Sequence, residues 1–396
     1  MSERPLLVER MEPFRSSIFA EMSALAVSSG AINLGQGFPD TDGPAEVIEA
    51  AVDALRGGHN QYPPGAGVSE LRDAVARHQR RHYGIEVDPE REVQITMGAS
   101  EALVAAILAL CGPGDEVVVF EPYFDLYAAA VALSGATLRT VTLRAPEYGF
   151  DPDEFRTALS PRTRLVIVNS PHNPTGHVFG PDELAVIADA CIAADVLVVT
   201  DEVYEHLTFD GVAHIPLSTL PGMAERTLTI SSAGKTFSVT GWKVGWASGP
   251  AELVAAVRAV KQHLTYSGGT PFQLAIARAL ELPDAVVDGV RSSLEHQRDL
   301  LCDGLVDIGL EVVRPAGTYF VTVDVAPLGV DDGVDFCRSL PGRVGVVAVP
   351  VQVFFADPAD GRTLVRFACC KRPEVISEAV ARLRRLTGTT LTGTTG

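Results

Sequence analysis

Residues 93–135 read VQITMGASEALVAAILALCGPGDEVVVFEPYFDLYAAAVALSG, and the change of rhythm inside them decides the fold. VQIT is short and rich in β-branched residues, whereas SEALVAAILAL is a longer Ala/Leu run of helical period; EVVVF returns to the first pattern and DLYAAAVALSG to the second. The alternation continues with RLVIV before PDELAVIADACIAA, then VLVVT, TLTI, and KVGWAS before AELVAAVRAVKQHL. Strands alternating with helices build a mostly parallel central sheet sandwiched by helices, the α/β class, whose doubly covered strands read as continuous apolar runs. After about residue 285 the pattern changes: a long charged helix, VRSSLEHQRDLLCDGLVDI, precedes GTYFVTVDV, RVGVVAVPV and TLVRFACC, and EVISEAVARLRRL closes the series. This predicts a large domain over 45–285 and a smaller α+β domain over 286–388, joined by an N-terminal arm of residues 1–44. The tail, 389–396, is low-complexity and reads as disordered.

Composition excludes several function classes. Against 32 Lys+Arg stand 50 Asp+Glu, a formal charge of -18, which repels nucleic-acid backbones and anionic membrane surfaces. The six cysteines include no C-x-x-C pair, and no histidine spacing marks a zinc site, so the expectation is reduced thiols and no metal. MSERPLLVERMEPF has no signal-peptide pattern, and ALVAAILALC (102–111) is about half the length that spans a bilayer. A cytoplasmic protein is expected.

In an open α/β sheet, ligands bind beyond the carboxyl ends of the strands, and there this chain concentrates its polar residues. VQITM runs into Gly98-Ala99-Ser100-Glu101 at a helix start, RLVIV into NSPHNPTG (169–176), VLVVT into Asp201-Glu202-Val203-Tyr204, and TLTI into Ser231-Ser232-Ala233-Gly234-Lys235. A lysine among small neighbours at a strand end is held partly desolvated, which lowers its pKa and frees its amine to attack an aldehyde. Pyridoxal 5'-phosphate is the aldehyde that needs the rest: a carboxylate opposite its ring nitrogen, for which Asp201 stands, and donors to its phenolic oxygen, for which Tyr204 and Asn173 are suited. Helix N-terminal amides at Gly98-Ala99-Ser100, the Ser232 hydroxyl and the Lys243 ammonium suit its phosphate. Singly, each residue has a plainer reading, since lysines are mostly exposed and an Asp after a strand commonly caps a helix. Four strand ends serving one cofactor outweigh those readings.

Six ordered motifs then carry a resemblance: NLGQGFPD (33–40), NQYPPGAG (60–67), EPYFDLY (121–127), NSPHNPTG, TDEVYEH and SSAGKTFSVTGWKVGW (231–246). Over nearly its whole length the chain resembles the class I aminotransferases of pyridoxal-phosphate fold type I. Its nearest likeness is the branch of kynurenine/glutamine transaminases and actinobacterial N-succinyldiaminopimelate aminotransferases. The resemblance implies a homodimer with shared active sites. It also implies that Lys235 is the Schiff-base lysine and the acid/base, that Asp201 partners the pyridine nitrogen, and that Tyr204 and Asn173 hold the ring hydroxyl. Phe124 is similar to the ring that stacks on the cofactor. Ala99, Ser100, Ser232 and Lys243 resemble the phosphate cup, with Tyr62 added from the other subunit.

For the substrate, Arg366 in LVRFACCK resembles the arginine that grips an α-carboxylate as a bidentate pair, helped by Gly35 and Asn173. Phe19 and Tyr266 resemble side-chain pocket positions, Tyr266 from the neighbouring chain. Phe19 stands where the kynurenine/glutamine relatives have a tryptophan, and Ser100 where they have a tyrosine. Both departures open space and weaken an aromatic-substrate reading. The implied reaction is ping-pong transfer of an amino group from an L-amino acid to a 2-oxo acid such as 2-oxoglutarate, with N-succinyldiaminopimelate as one candidate donor. A C-S β-lyase could use the same residues, and a non-catalytic sensor of the same fold is a rival from another class. No basic DNA-binding segment supports the sensor, and no G-x-G-x-x-G follows a first strand as in a nicotinamide dehydrogenase.

Overall fold

The structure, a computed structural model, describes residues 6–388; the expected tail at 389–396 lies outside them. Strand β1 (Ile32–Asn33) precedes the long alternation. The strands that follow are β2 (Val93–Met97), β3 (Glu116–Glu121), β4 (Thr137–Thr142), β5 (Thr163–Asn169), β6 (Leu197–Asp201), β7 (Thr227–Ser232) and β8 (Val244–Ser248). These seven form one sheet in the order β2-β8-β7-β6-β5-β3-β4. Its pairings are parallel except at β8, which runs antiparallel to both β2 and β7. The mostly parallel α/β sheet is as the sequence predicts.

Successive side chains on a strand face opposite ways, and the core divides accordingly. Val117, Val119, Leu165, Ile167 and Val199 pack on one side against Ala102, Leu103 and Ala106 of the helix Gly98–Leu110. Val118, Phe120, Val166, Val168 and Val198 pack on the other against Phe155, Phe179 and Ile187. Each such buried Val, Leu, Ile or Phe contributes about 1.5–3 kcal/mol relative to exposure. Strand β4, TLRTVT, lies at the sheet edge with its first four residues partly or fully exposed, so it carries no continuous apolar run.

The C-terminal part holds β9 (Phe320–Asp324), β10 (Val346–Val347), β11 (Val349–Pro350) and β12 (Leu364–Ala368). An antiparallel sheet runs β11-β12-β9, while β10 pairs in parallel with β1. Leu301 and Leu305 of the helix Asp284–Asp307 share one core with Ile376 and Leu383 of the last long helix, and with Met22, Ala26 and Leu34 near the N-terminus. That core also takes in Val203, Tyr204, Leu207 and Phe209 from the segment after β6. Two backbone bonds fasten this segment: Thr318 N–H to the Leu207 carbonyl at 2.9 Å and Phe209 N–H to the Ala316 carbonyl at 2.8 Å.

Candidate active site

Sheet register collects the polar strand ends on one edge. Asn169 pairs with Asp201, Asp201 with Ile230, Ser232 with Gly245, and Met97 with Val244. Because β8 is reversed, its beginning lies on the edge where the parallel strands end. Lys243, just before β8, therefore meets Gly98, just after β2. A β-carbon at Gly98 would lie 3.2 Å from Lys243 Nζ, and one at Gly245 would lie 2.6 Å from the Gly98 carbonyl carbon. Glycine at 245 lets the helix start press against β8; glycine at 98 supplies the left-handed turn, at φ +70°.

A cavity of about 200 Å³ opens on this edge. Among the expected residues, Phe19, Ala99, Ser100, Phe124, Asn173, Asp201, Tyr204, Lys235 and Arg366 line it. Gly35 reaches it through its carbonyl, which accepts from Arg366 Nη2 at 3.0 Å. Ser232 is buried at the end of β7. Tyr62 and Tyr266 are not in the lining; they are exposed, 84% and 49%, and meet edge to face with centroids 5.8 Å apart.

Lys235 sits in the helical turn Ala233–Thr236 that follows β7. Its amine donates to Tyr319 Oη at 2.8 Å and faces the rings of Tyr204 and Tyr319 at 5.6 and 5.4 Å. Burial lowers its pKa to about 8, with Asp201 pulling the other way. Asp201 Oδ2 accepts from Tyr127 Oη at 2.7 Å. Burial pushes this carboxyl up to about 6, against the opposing effect of the Tyr127 hydroxyl. Asn169 orients the neighbours: its Nδ2 donates to the Asp201 carbonyl at 2.8 Å and its Oδ1 accepts from the Asn173 N–H at 2.7 Å.

Arg366 forms the third wall. Nη1 donates to Asn173 Oδ1 at 2.9 Å, and the guanidinium carbon lies 3.9 Å from the Phe320 ring centroid and 5.1 Å from that of Phe19. Nε has no hydrogen-bond partner among the described residues. Burial holds its pKa down at about 10, so it remains cationic at neutral pH. A buried guanidinium whose partners are an amide and a carbonyl is poised for an anion.

These residues fit pyridoxal phosphate on their own chemistry. The helix Gly98–Leu110 begins without a side-chain cap, leaving amide donors and the Lys243 ammonium to meet a phosphate. A carboxylate and a partly neutral amine face the same cavity. Sequence reasoning missed Tyr127, Asn169, Tyr319 and Phe320. Tyr127 and Asn169 stand inside quoted motifs and were visible there, whereas Tyr319 and Phe320 follow a glycine-threonine turn 84 residues or more beyond Lys235 and carried no local signal.

The Tyr319 hydroxyl accepts from the amine and so favours its protonated form. In Tyr319→Phe the midpoint for cofactor capture by the cofactor-free protein is expected to move to lower pH, measured by stopped-flow absorbance across a pH series. An unchanged midpoint would reduce Tyr319 to a space-filling role.

The family model described as "Aminotransferase class I and II" matches residues 29–383. The chain belongs to the class I and II aminotransferases. This aminotransferase is 53% identical over 389 residues to the probable N-succinyldiaminopimelate aminotransferase DapC of Mycobacterium tuberculosis, covering 96% of this chain and 98% of that protein. It is 41% identical to the methionine aminotransferase of Escherichia coli (strain K12), covering 98% and 100%. The solved structure of N-succinyldiaminopimelate aminotransferase from Mycobacterium tuberculosis superposes with a TM-score of 0.93 at 53% identity, covering 96% of this chain and 100% of that one. The aminotransferase is an enzyme of amino-group transfer between amino acids and oxo acids, in a class that generally depends on pyridoxal phosphate. Among its described residues no helix is long and apolar enough to cross a membrane.

Proposed function

We propose that this aminotransferase binds pyridoxal phosphate on the carboxyl edge of its large sheet and moves an amino group from an L-amino acid to 2-oxoglutarate or a similar acceptor by ping-pong exchange. The observation that carries this is one cavity walled by a depressed amine, a buried carboxylate and an anion-seeking guanidinium. The cofactor, when bound, supplies an aldehyde and an electron sink. Lys235 Nζ would be the attachment point and, once displaced by the substrate amine, the base that would take the proton from the substrate α-carbon and deliver it to the cofactor carbon that carried the aldehyde, leaving the amino group on the cofactor. Asp201, braced by Tyr127, holds a proton on the ring nitrogen. Tyr204 and Asn173 hold the ring hydroxyl, and Phe124 packs on the ring. The amides of Ala99 and Ser100, with Ser232 and Lys243, hold the phosphate. Arg366, with Asn173 and Gly35, fixes the substrate carboxylate and thereby orients the α-carbon.

The exposed Tyr62–Tyr266 pair supports a homodimer in which these side chains enter the partner's site, Tyr62 toward the phosphate and Tyr266 toward the substrate. We read 45–285 as the cofactor-binding domain and 1–44 with 286–388 as an N-terminal arm plus a smaller domain. Six unpaired, buried cysteines support a cytoplasmic setting.

The donor reading we favour is N-succinyldiaminopimelate. A second cleft of about 540 Å³ shares Phe124 with the cavity and is lined by Ser16, Ser17, Ile18, Glu21, Asp125 and Arg338, the last ion-paired with Glu21 at 2.6 Å. The 53% identity to the probable N-succinyldiaminopimelate aminotransferase DapC supports this donor. A panel of amino donors against 2-oxoglutarate, read by half-reaction spectra, tests this. The expected result is fastest conversion with N-succinyldiaminopimelate; pyruvate and ammonia released from a cysteine conjugate without any 2-oxo acid would favour β-lyase chemistry instead.

A further inference from the structure

Outside the active site, three imidazoles converge. The helix Ser69–Tyr83 presents His78 and His82 one turn apart, and the segment after β6 brings His206 against them. Their ring centroids lie 4.6 Å (His78–His82), 4.8 Å (His82–His206) and 5.0 Å (His78–His206) apart. One nitrogen from each ring falls within 4.8 Å of the others. His78 Nε2 and His206 Nε2 face each other at 2.7 Å, a contact that in a metal-free pair of neutral rings uses a single proton.

The surroundings favour a cation. His78 is only 3% exposed, and its Nδ1 has no hydrogen-bond partner among the described residues, an uncommon state for a buried polar atom. Glu205, also buried, stands beside His78, His206 and His214 and accepts from Ser231 Oγ at 2.5 Å. A carboxylate within electrostatic reach of the imidazoles favours a cation held among them. A positive ion next to it offsets a buried negative charge. Tyr83, edge-on to His78 at 6.1 Å and tilted against His82 at 6.0 Å, walls one side. His82 opens the other: its side chain is 19% exposed, with Asp284 Oδ1 3.9 Å from Nε2. Arg81 contacts the same nitrogen at 3.1 Å, and a bound ion competes with it for that ring.

We propose that His78, His82 and His206 bind one divalent transition-metal ion of the zinc class, with water or Asp284 closing the fourth position. Three neutral imidazoles and an open position suit zinc, cobalt, nickel or copper over magnesium or calcium. Metal–nitrogen bonds of about 2.0–2.1 Å in a tetrahedral set require the two facing nitrogens to part by roughly half an ångström and the widest nitrogen pair, within 4.8 Å, to close by roughly 1.5 Å, a side-chain adjustment. The sequence reading expected no metal: His78-x-x-x-His82 becomes a ligand pair only once the fold carries His206 across to it. Since His206 follows Asp201 and Tyr204 by five and two residues, the ion would clamp the helix Ser69–Tyr83 to the segment that supplies both. Its role is positional, and it stands independently of the donor assigned above.

Untagged holoenzyme, cleared of metal by chelator and dialysis, is titrated with Zn(II) by calorimetry and with Co(II) by visible absorption. The expected result is one ion per chain, a tetrahedral Co(II) band and a metal-dependent rise in Tm. His82→Gln, at the partly exposed position, and separately His206→Gln should each weaken binding by about 100-fold or more while the cofactor absorption band stays. Sub-stoichiometric binding, or an affinity unchanged in whichever of these variants folds, would overturn the site.

Discussion

Replacing Lys235 with alanine is expected to remove the visible absorption of the bound cofactor and to lower kcat by at least about 10⁴-fold. Loss of a positioned proton carrier alone accounts for up to about that factor, and loss of the covalent anchor adds to it. No other described amine lines the cavity: Lys261 donates to the Gly65 and Tyr266 carbonyls, Lys371 to the Phe38 carbonyl, and Lys243 lies outside the lining. Absorption spectra and single-turnover rates check this; a retained band or a loss below 100-fold would dismantle the assignment. The same side chain weakens the cofactor-free fold. Its pKa falls from 10.5 to about 8, so the unfolded chain holds the extra proton between about pH 8 and 10. Cofactor-free wild type therefore gains stability as pH rises through that window and loses it as pH falls through about 8. Lys235→Met, of similar shape and uncharged, should flatten this dependence and stabilise the cofactor-free protein at pH 7 by at most about 3 kcal/mol. Urea unfolding at pH 7 and 10 measures the difference.

Asp201→Ala is expected to retain some cofactor but to lose about 10²–10³-fold in kcat, the scale of removing one preorganised electrostatic partner. The carboxyl is buried with Tyr127 as its only hydroxyl donor among the described residues, and nothing adjacent replaces its charge. Its folded pKa, about 6, stands above the ordinary 3.8. This contribution to cofactor-free stability is therefore present below about pH 4 and is lost as pH rises through about 6. A protonated ring nitrogen opposite would draw the value back down, so cofactor binding and ionisation of Asp201 reinforce each other. A near-normal kcat in Asp201→Ala would show that the ring nitrogen's proton is held elsewhere.

Much of this was legible because an α/β sheet separates its signals: apolar runs mark the strands, and polar residues at their carboxyl ends mark the site. Lys235, Asp201, Asn173 and the turn at Gly98 could be read that way. Strand β4 could not, because an edge strand alternates instead of running apolar, and the reversal of β8 could not, because local pattern carries no direction. Arg366 taken alone reads as a surface ion pair, and only the resemblance to the family marked it; its burial among Phe19, Phe320 and Phe354 depends on the C-terminal sheet. Tyr319 at Lys235 and His206 at His78 are likewise products of tertiary approach between segments 84 and 128 residues apart.

The reversal of β8 makes the sheet a gauge for the cofactor. Ser232 is locked opposite Gly245 and Met97 opposite Val244, so where Lys243 stands relative to Lys235 is set by ladder hydrogen bonds. The connecting residues at 237–241 support that register from the core, where Phe237 and Val239 are buried with Trp246. A one-residue slip of β8 would turn every one of its side chains to the other face and carry the phosphate anchor off the scale.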